Sequence, residues 1–322
     1  MARQLGLTEF GTLQERTGST LSPAALGTGL GQSIWGRAFG PQVDNRYKAF
    51  VDPRANGALY GFQAGLDLWR GSLLPGQFDV AGVYFAYGYT HVNVSGLVTN
   101  PDATAYVLQH TGTLILNAYS GGGYWTHYGP GGWYVDAVVQ GTGYTGSAKA
   151  QFTDPVPMTT NLPARGSGVI GSLESGYPIS LLSGPNFSLV PEAQIVWQYV
   201  SFKAANDGNQ IVEPGSTSGV TGRIGITGQW MFPGDSGAFW QPYALANLWQ
   251  DWGGRSELLF AADPTEVPLS EQATRVEFAG GVKYTLAPSW SLFVQGGYQF
   301  AVAPSSIRRN GAEGIFGLHF IW

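Results

Sequence analysis

The stretch "GALYGFQAGLDLW", residues 57–69, decides the fold. Tyr60, Phe62, Ala64, Leu66 and Leu68 fall on one face of a period of two, and Gly61, Gln63, Gly65 and Asp67 on the other. That alternation is the mark of a strand with one apolar side. "TRVEFAGGVKY" at 274–284 repeats it, with Val276, Phe278, Val282 and Tyr284 opposed to Arg275, Glu277 and Lys283. "GRIGITGQWMF" at 222–232 sets Ile224, Ile226, Trp230 and Phe232 against Arg223, Thr227 and Gln229. These runs exceed the ~5–6 residues usual for strands of soluble domains. They suit the ~9–11 residues a tilted strand needs to cross a bilayer.

Composition points the same way. Charged residues make up 11% of the 322, under half of the ~25% usual in soluble domains. Gly contributes 48 residues and aromatics 14%, while mean hydropathy is −0.03. Too few charges cover a large soluble surface, yet no stretch approaches the ~20 apolar residues of a spanning helix; "YVDAVVQ" and "GTLILNAY" are about as apolar as the chain gets. The net charge of −5 and pI near 5.3 argue against a nucleic-acid partner. With no cysteine, disulfides and Cys-based metal sites are excluded. No basic, apolar secretory start precedes "QLGLTEFGTLQERTG", so an exported protein would begin upstream of this sequence.

Twelve segments carry the pattern: 33–40, 57–70, 76–92, 106–126, 132–147, 166–182, 187–202, 219–232, 239–252, 272–286, 289–302 and 311–322. In the third and ninth both faces are nearly equally apolar, and their facing stays open. The connections alternate. "RGSLLPG", "HYGPGG", "LSGPN", "PGDSGA" and "APS" are short; "PQVDNRYKAFVDPRA", "KAQFTDPVPMTTNLPA" and "KAANDGNQIVEPGSTS" are long and polar. Short periplasmic turns alternating with longer outside loops characterise outer-membrane barrels. Closure follows physically, because in lipid only a closed sheet leaves no unpaired edge. Trp35, Trp69, Trp133, Trp290 and Trp322 sit at segment ends, where aromatic girdles mark the water interface. The expected fold is all-β: a twelve-stranded antiparallel transmembrane barrel in a Gram-negative outer membrane.

Seven stretches resemble the translocator domain of autotransporters, the type Va secretion family. They are "WGRAFG" at 35–40, "GWYVDAVVQ" at 132–140, "GSLESGYP" at 171–178, "VPEAQIVWQYVSF" at 190–202, "TGRIG" at 221–225, "QPYALANLWQDWGG" at 241–254 and the closing "GLHFIW". They stand in the family's order over nearly the whole chain. The resemblance implies a helix threaded through the pore, a secreted N-terminal passenger outside this sequence, and a monomer. It also implies insertion by the barrel-assembly machinery, which reads the last strand. On that strand Phe316, Leu318, Phe320 and Trp322 would face lipid as an aromatic ridge, with Glu313, Ile315, Gly317, His319 and Ile321 inward; Phe320 and Trp322 match the family's assembly signal.

A twelve-stranded lumen admits about one helix. The candidate is "LTEFGTLQERTGSTL", near residues 5–22, with Leu7, Phe10 and Leu13 at helical spacing and Glu9, Gln14, Glu15 and Arg16 around them. Gly6, Gly11 and Gly18 weaken it, and "SPAALGTGLG" should end it. Residues 1–32 therefore read as a linker with a lumenal helix, and 33–322 as the barrel. By alternation the lumen-facing charges are Arg37, Asp67, Asp136, Glu174, Glu192, Arg223, Arg275, Glu277 and Lys283. They pair with one another, grip the helix through Glu9, Glu15 and Arg16, or do both.

An enzyme is not expected, and neither a metal nor a cofactor. Of four histidines, His91 and His110 flank one outside loop and could approach Asp102, His127 sits in a short turn, and His319 is near the end. No nucleophile elbow or metal spacing appears. Some autotransporters cut their own linker with an Asn of the lumenal helix. The first Asn here, Asn45, falls in the first outside loop, so that chemistry is not expected. The competing reading is a stand-alone porin or adhesin barrel.

Overall fold

The computed structural model describes residues 1–21, 31–152, 158–180, 186–234, 238–260, 263–287, 289–302 and 306–322. Twelve antiparallel strands form its wall. β1 comprises Ser33–Phe39 and, beyond a break at Gly40 and Pro41, its continuation Gln42–Tyr47. Then come β2 (Arg54–Gly71), β3 (Phe78–Thr99), β4 (Tyr106–Tyr128), β5 (Tyr134–Phe152) and β6 (Met158–Gly176). The second half holds β7 (Phe187–Phe202), β8 (Ser216–Trp230), β9 (Phe239–Gly253), β10 (Thr274–Ala287), β11 (Trp290–Ala301) and β12 (Ile307–Ile321). Each strand pairs with its neighbours in sequence, and β1 pairs with both β2 and β12, from Ser33↔Ile321 to Phe39↔Ile315. The sheet closes on itself as expected.

Several strands run further towards the long loops than the apolar alternation does. β3 continues to Thr99, β6 starts at Met158 and β12 at Ile307, where the sequence suggested 92, 166 and 311. The ladder needs only backbone partners, so it persists in water where side chains are polar. For the same reason "PQVDNRYKAFVDPRA" is not all loop: Gln42–Tyr47 extends β1, and Asn45 turns into the barrel instead of lying in an outside loop. Two long loops also pair, through Ala205–Asn206, Ile211–Glu213, Arg255–Phe260 and Asp263–Ser270. The tip of "KAQFTDPVPMTTNLPA", 153–157, lies outside the described residues. At the opposite end, Gly131 and Gly132 take φ of 80° and 84° in the tight turn between β4 and β5, the left-handed region that glycine enters without strain.

Burial follows the pleat. On β7, Glu192, Gln194, Val196 and Gln198 are buried in the lumen while Ile195, Trp197 and Tyr199 are exposed. Strands three and nine resolve. β3 turns Val80, Tyr84, Ala86 and Val92 inward and Val83 and Phe85 outward; β9 turns Tyr243, Leu245 and Trp249 inward and Trp240, Leu248 and Trp252 outward. The register slips between Asp67 and Trp69, leaving Leu68 unpaired. This bulge exposes both Leu68 and Trp69 and returns Arg70 to the lumen. Trp69, Trp290 and Trp322 are exposed as girdle residues, but Trp35 is not. It points inward and donates to the Tyr124 hydroxyl at 2.8 Å. Its even-odd parity with Arg37 on β1 places both on the same side.

The N-terminal residues fill the lumen as two helices, not one over 5–22. α1 spans Ala2–Phe10 and α2 spans Leu13–Thr17. Gly11, at φ 66°, breaks them. Thr12 and Glu15 then form a reciprocal capping box, Thr12 Oγ1 accepting from the Glu15 N–H at 3.2 Å and Glu15 Oε2 from the Thr12 N–H at 3.0 Å. Gly18 closes α2 in the left-handed conformation. The "SPAALGTGLG" linker mostly lies outside the described residues.

Candidate functional site: the occupied lumen

A helix leaves N–H groups unsatisfied at its start and carbonyls at its end. A helix inside a barrel cannot give all of these to bulk water. Here the wall meets three of the four ends of the two helices. Arg37 on β1 donates to the carbonyls of Thr8 (3.0 Å) and Glu9 (2.9 Å), the last turn of α1. Gln63 holds the same guanidinium at 2.7 Å, and Glu15 lies 3.5 Å away. Glu174 on β6 accepts from the Leu13 N–H at 3.2 Å, the first residue of α2. Tyr134 (2.9 Å) and Arg223 (3.0 Å) orient that carboxylate. Lys283 on β10 donates to the Thr17 carbonyl at 3.0 Å, where α2 ends. Cations thus meet helix C-termini and an anion meets a helix N-terminus, the signs favoured by the helix dipole.

The Gly11 break makes this possible. A Cβ there would collide with the Arg37 guanidinium, which sits directly beside the glycine. Side chains extend the contact. Arg16 forms a buried ion pair with Asp136 and lies 5.3 Å from the centre of the Tyr124 ring. Asp136 also accepts from Thr126 at 2.6 Å, and Glu9 from Ser120 at 2.5 Å. At the other end of α1, Gln198 donates to the Arg3 carbonyl at 2.9 Å and Asn45 to Gln4 at 2.8 Å. Arg3 reaches Glu271 at 3.5 Å.

The charges expected in the lumen divide into two groups. Arg37, Asp136, Glu174 and Lys283 touch the helices that carry Glu9, Glu15 and Arg16. Asp67, Glu192, Arg223, Arg275 and Glu277 bond along the wall. Asp67 accepts from Ser33 and Tyr124 and lies 3.5 Å from Arg70. Arg223 binds Glu192 at 2.8 Å, Arg275 binds Asp251 at 3.3 Å, and Glu277 accepts from Trp249 at 2.6 Å. The sequence reading missed Gln198, Ser120, Asn45 and Glu271. Gln198 and Ser120 are neutral polar residues at lumenal parity, a weaker signal than a charge; Asn45 fell in a stretch read as the first outside loop, and Glu271 lies just outside a strand.

Glu15, Glu277 and Glu313 bring carboxylate oxygens within 4.8 Å of one another. These residues could hold a cation. Arg37 beside Glu15, and the Trp249 and Asn247 donors on Glu277, already compensate two of them. The histidines do not converge. His91 stands opposite Ile115 and His110 opposite Ser95, well apart along β3 and β4, and Asp102 is in the exposed loop. His127 is in β4, not a turn, with Nδ1 2.7 Å from Asp79.

Residues 34–297 match the Autotransporter beta-domain family. The chain is 26% identical over 310 residues to the pertactin autotransporter of Bordetella parapertussis, covering 94% of this chain and 30% of that protein. It is 25% identical over 268 residues to the adhesin BmaC autotransporter of Brucella suis, covering 78% of this chain and 7% of that protein. The chain thus spans under a third of the length of either relative. Its fold is similar to the crystal structure of the beta domain of the Bordetella autotransporter BrkA, with a TM-score of 0.69 and 21% identity over 91% of this chain and 100% of that one. A closed twelve-stranded wall, a polar lumen filled by an N-terminal helical segment and this family match lead to one conclusion: the chain belongs to the Autotransporter beta-domain family and is an outer-membrane translocator barrel.

Proposed function

We propose that this barrel anchors an N-terminal passenger in the outer membrane, mediates its passage to the cell surface, and then holds the linker as a plug. One observation carries the reading: the direction of the chain in the lumen. Gln4 and Arg3 lie against Asn45 and Glu271 at the long-loop end, and Thr17 against Lys283 at the short-turn end. Chain attached ahead of Met1 would leave at the surface side. Residues 1–32 serve as the linker and 33–322 as the translocator. The mechanism is conformational, with no covalent step and no cofactor: polar walls solvate a passing segment, and the matched helix ends arrest the last one. Nucleic acid has no part in it.

Lipid contacts the outward apolar band, and the barrel acts as a monomer. The barrel-assembly machinery would read the ridge of Phe316, Leu318, Phe320 and Trp322. Phe320 packs at a tilt against Trp290 (4.4 Å) and stacks on Trp322 (5.7 Å), contacts that support an ordered ridge. The test is a reporter domain with a signal sequence fused ahead of Met1. Protease added to intact cells should remove the reporter from full-length fusions. A reporter that stays protected while the barrel is assembled would contradict the proposal. Deleting Phe320–Trp322 should sharply reduce assembly in cells and leave detergent refolding largely intact; normal assembly would remove the ridge from the account.

A further inference from the structure

Among the described side chains, eight of the sixteen Lys and Arg residues are buried in the lumen. Of the other eight, Arg46, Lys48, Arg54 and Arg308 share one corner of the outer wall. Arg308 stands directly opposite Arg46, and Arg46 directly opposite Arg54, so three guanidinium-bearing residues lie in register across β12, β1 and β2. Neighbouring strands are ~4.8 Å apart, and like charges directly opposed destabilise a sheet. The Lys48 N–H bonds to the Ser306 carbonyl at 2.8 Å, which draws the first loop against the start of β12.

One carboxylate answers this row. Asp52 accepts from Arg46 at 2.7 and 3.0 Å and from Arg54 at 2.7 and 3.2 Å. Those hydrogen bonds, Arg46 first, hold its carboxyl below the usual carboxylate range. Asp52 sits at φ 42°, an uncommon conformation for a residue with a side chain. Arg308 is exposed, and among the described residues its side chain has no hydrogen-bond or ion-pair partner. Asp44, one pair nearer the membrane, adds a second acid, so the corner keeps an excess of two positive charges on a chain of net charge −5.

Its height matters. Outward residues of β2 pass from Arg54, Asn56 and Ala58 to Tyr60 and Phe62, and those of β12 from Arg308 and Asn310 to Phe316. Arg54 is six positions above Tyr60, so with ~3.4 Å per residue and a tilt near ~40° it lies ~15 Å higher. The row therefore stands beside headgroups and above the hydrocarbon. In the outer leaflet of a Gram-negative outer membrane those headgroups are phosphate-bearing glycolipids, and Arg forks fit phosphate oxygens bidentately.

We propose that Arg46, Arg54 and Arg308 form a binding surface for the phosphate groups of an outer-leaflet glycolipid, with Arg308 supplying an exposed guanidinium that no described residue pairs and Lys48 lying at its margin. The proposal rests on the outer-membrane location, not on passenger transport. The experiment measures binding of lipopolysaccharide to the full chain, refolded in neutral detergent, by native mass spectrometry and by the shift of its unfolding midpoint. Parallel arms use phosphatase-treated lipopolysaccharide and inorganic phosphate. R46Q/R308Q should weaken lipopolysaccharide binding at least tenfold, and R308Q alone by a few-fold. K149Q/K203Q, which removes two charges elsewhere, should leave it unchanged. Phosphatase treatment should abolish the difference between wild type and R46Q/R308Q. All of these exposed positions leave the barrel intact, which heat-modifiable gel mobility verifies. Equal binding by R46Q/R308Q, or equal binding of the dephosphorylated lipid, would overturn the proposal. Saturation by millimolar inorganic phosphate in place of the lipid would overturn the glycolipid assignment.

Discussion

Arg223 and Ile224 are consecutive residues of β8 with opposite fates. Arg223 is 3% exposed and bonded to Glu174, Glu192, Gln194 and Asn247; Ile224 is 61% exposed. Most of the wall repeats this contrast. The lumenal face buries charges in a network, and the outer face presents Leu, Ile, Phe and Trp to its surroundings. A soluble protein does the reverse. The same pleat therefore serves two solvents, and each face fails by its own physics.

The largest effect should come from the network. Arg223→Leu leaves Glu174 and Glu192 buried without their shared cation, and breaking a buried pair from one side typically costs about 3–5 kcal/mol. Urea unfolding in lipid vesicles should show that loss. A value near zero would mean that lumenal water screens these charges fully. Next comes the outer face. Ile224→Arg sets a cation against hydrocarbon and should cost about 2–4 kcal/mol near the midplane. The same substitution in short-chain detergent should be milder, and equal losses in both media would remove lipid as the reason for the contrast. Gly11→Ala should cost about 1–3 kcal/mol, because the φ of 66° strains a residue with a Cβ and the methyl displaces Arg37. Its readout is faster protease cleavage of residues 1–21 with the barrel intact. Smallest is Lys283→Met, which removes one charge from the C-terminus of α2, about 0.3–1 kcal/mol, and should show as slightly more frequent channel openings.

The sequence made the wall legible wherever one face carried charge: Arg275, Glu277 and Lys283 fix the facing of β10 without ambiguity. It was silent on β9, where the inward Tyr243 and Leu245 are as apolar as the outer face and cluster with Ala279 of the wall, and on β3 for a further physical reason. Val80, Tyr84 and Val92 face inward although they are apolar, because they belong to the apolar clusters that include Leu5, Phe10 and Leu13 of the plug. A strand with lipid on one side and an apolar helix face on the other has no polar side to read. Trp35 misled for the same cause, being a lumenal partner of Tyr124 at a strand end that looked like a girdle. The helix break was written in Gly11, Thr12 and Glu15. The weakness at Gly11 was read from the sequence and the Thr12–Glu15 cap was not; only the position of Arg37, which arrives from a distant part of the chain, explains why the break falls there.

The central claim is that the chain's own N-terminal helices occupy the pore. Single-channel conductance in planar bilayers, comparing the full chain with a form lacking residues 1–21, tests it most directly. The full chain should show small, mostly closed conductance, and the shortened barrel large steady openings. Equal conductance for two barrels of equal heat-modifiable mobility would contradict a plugged lumen.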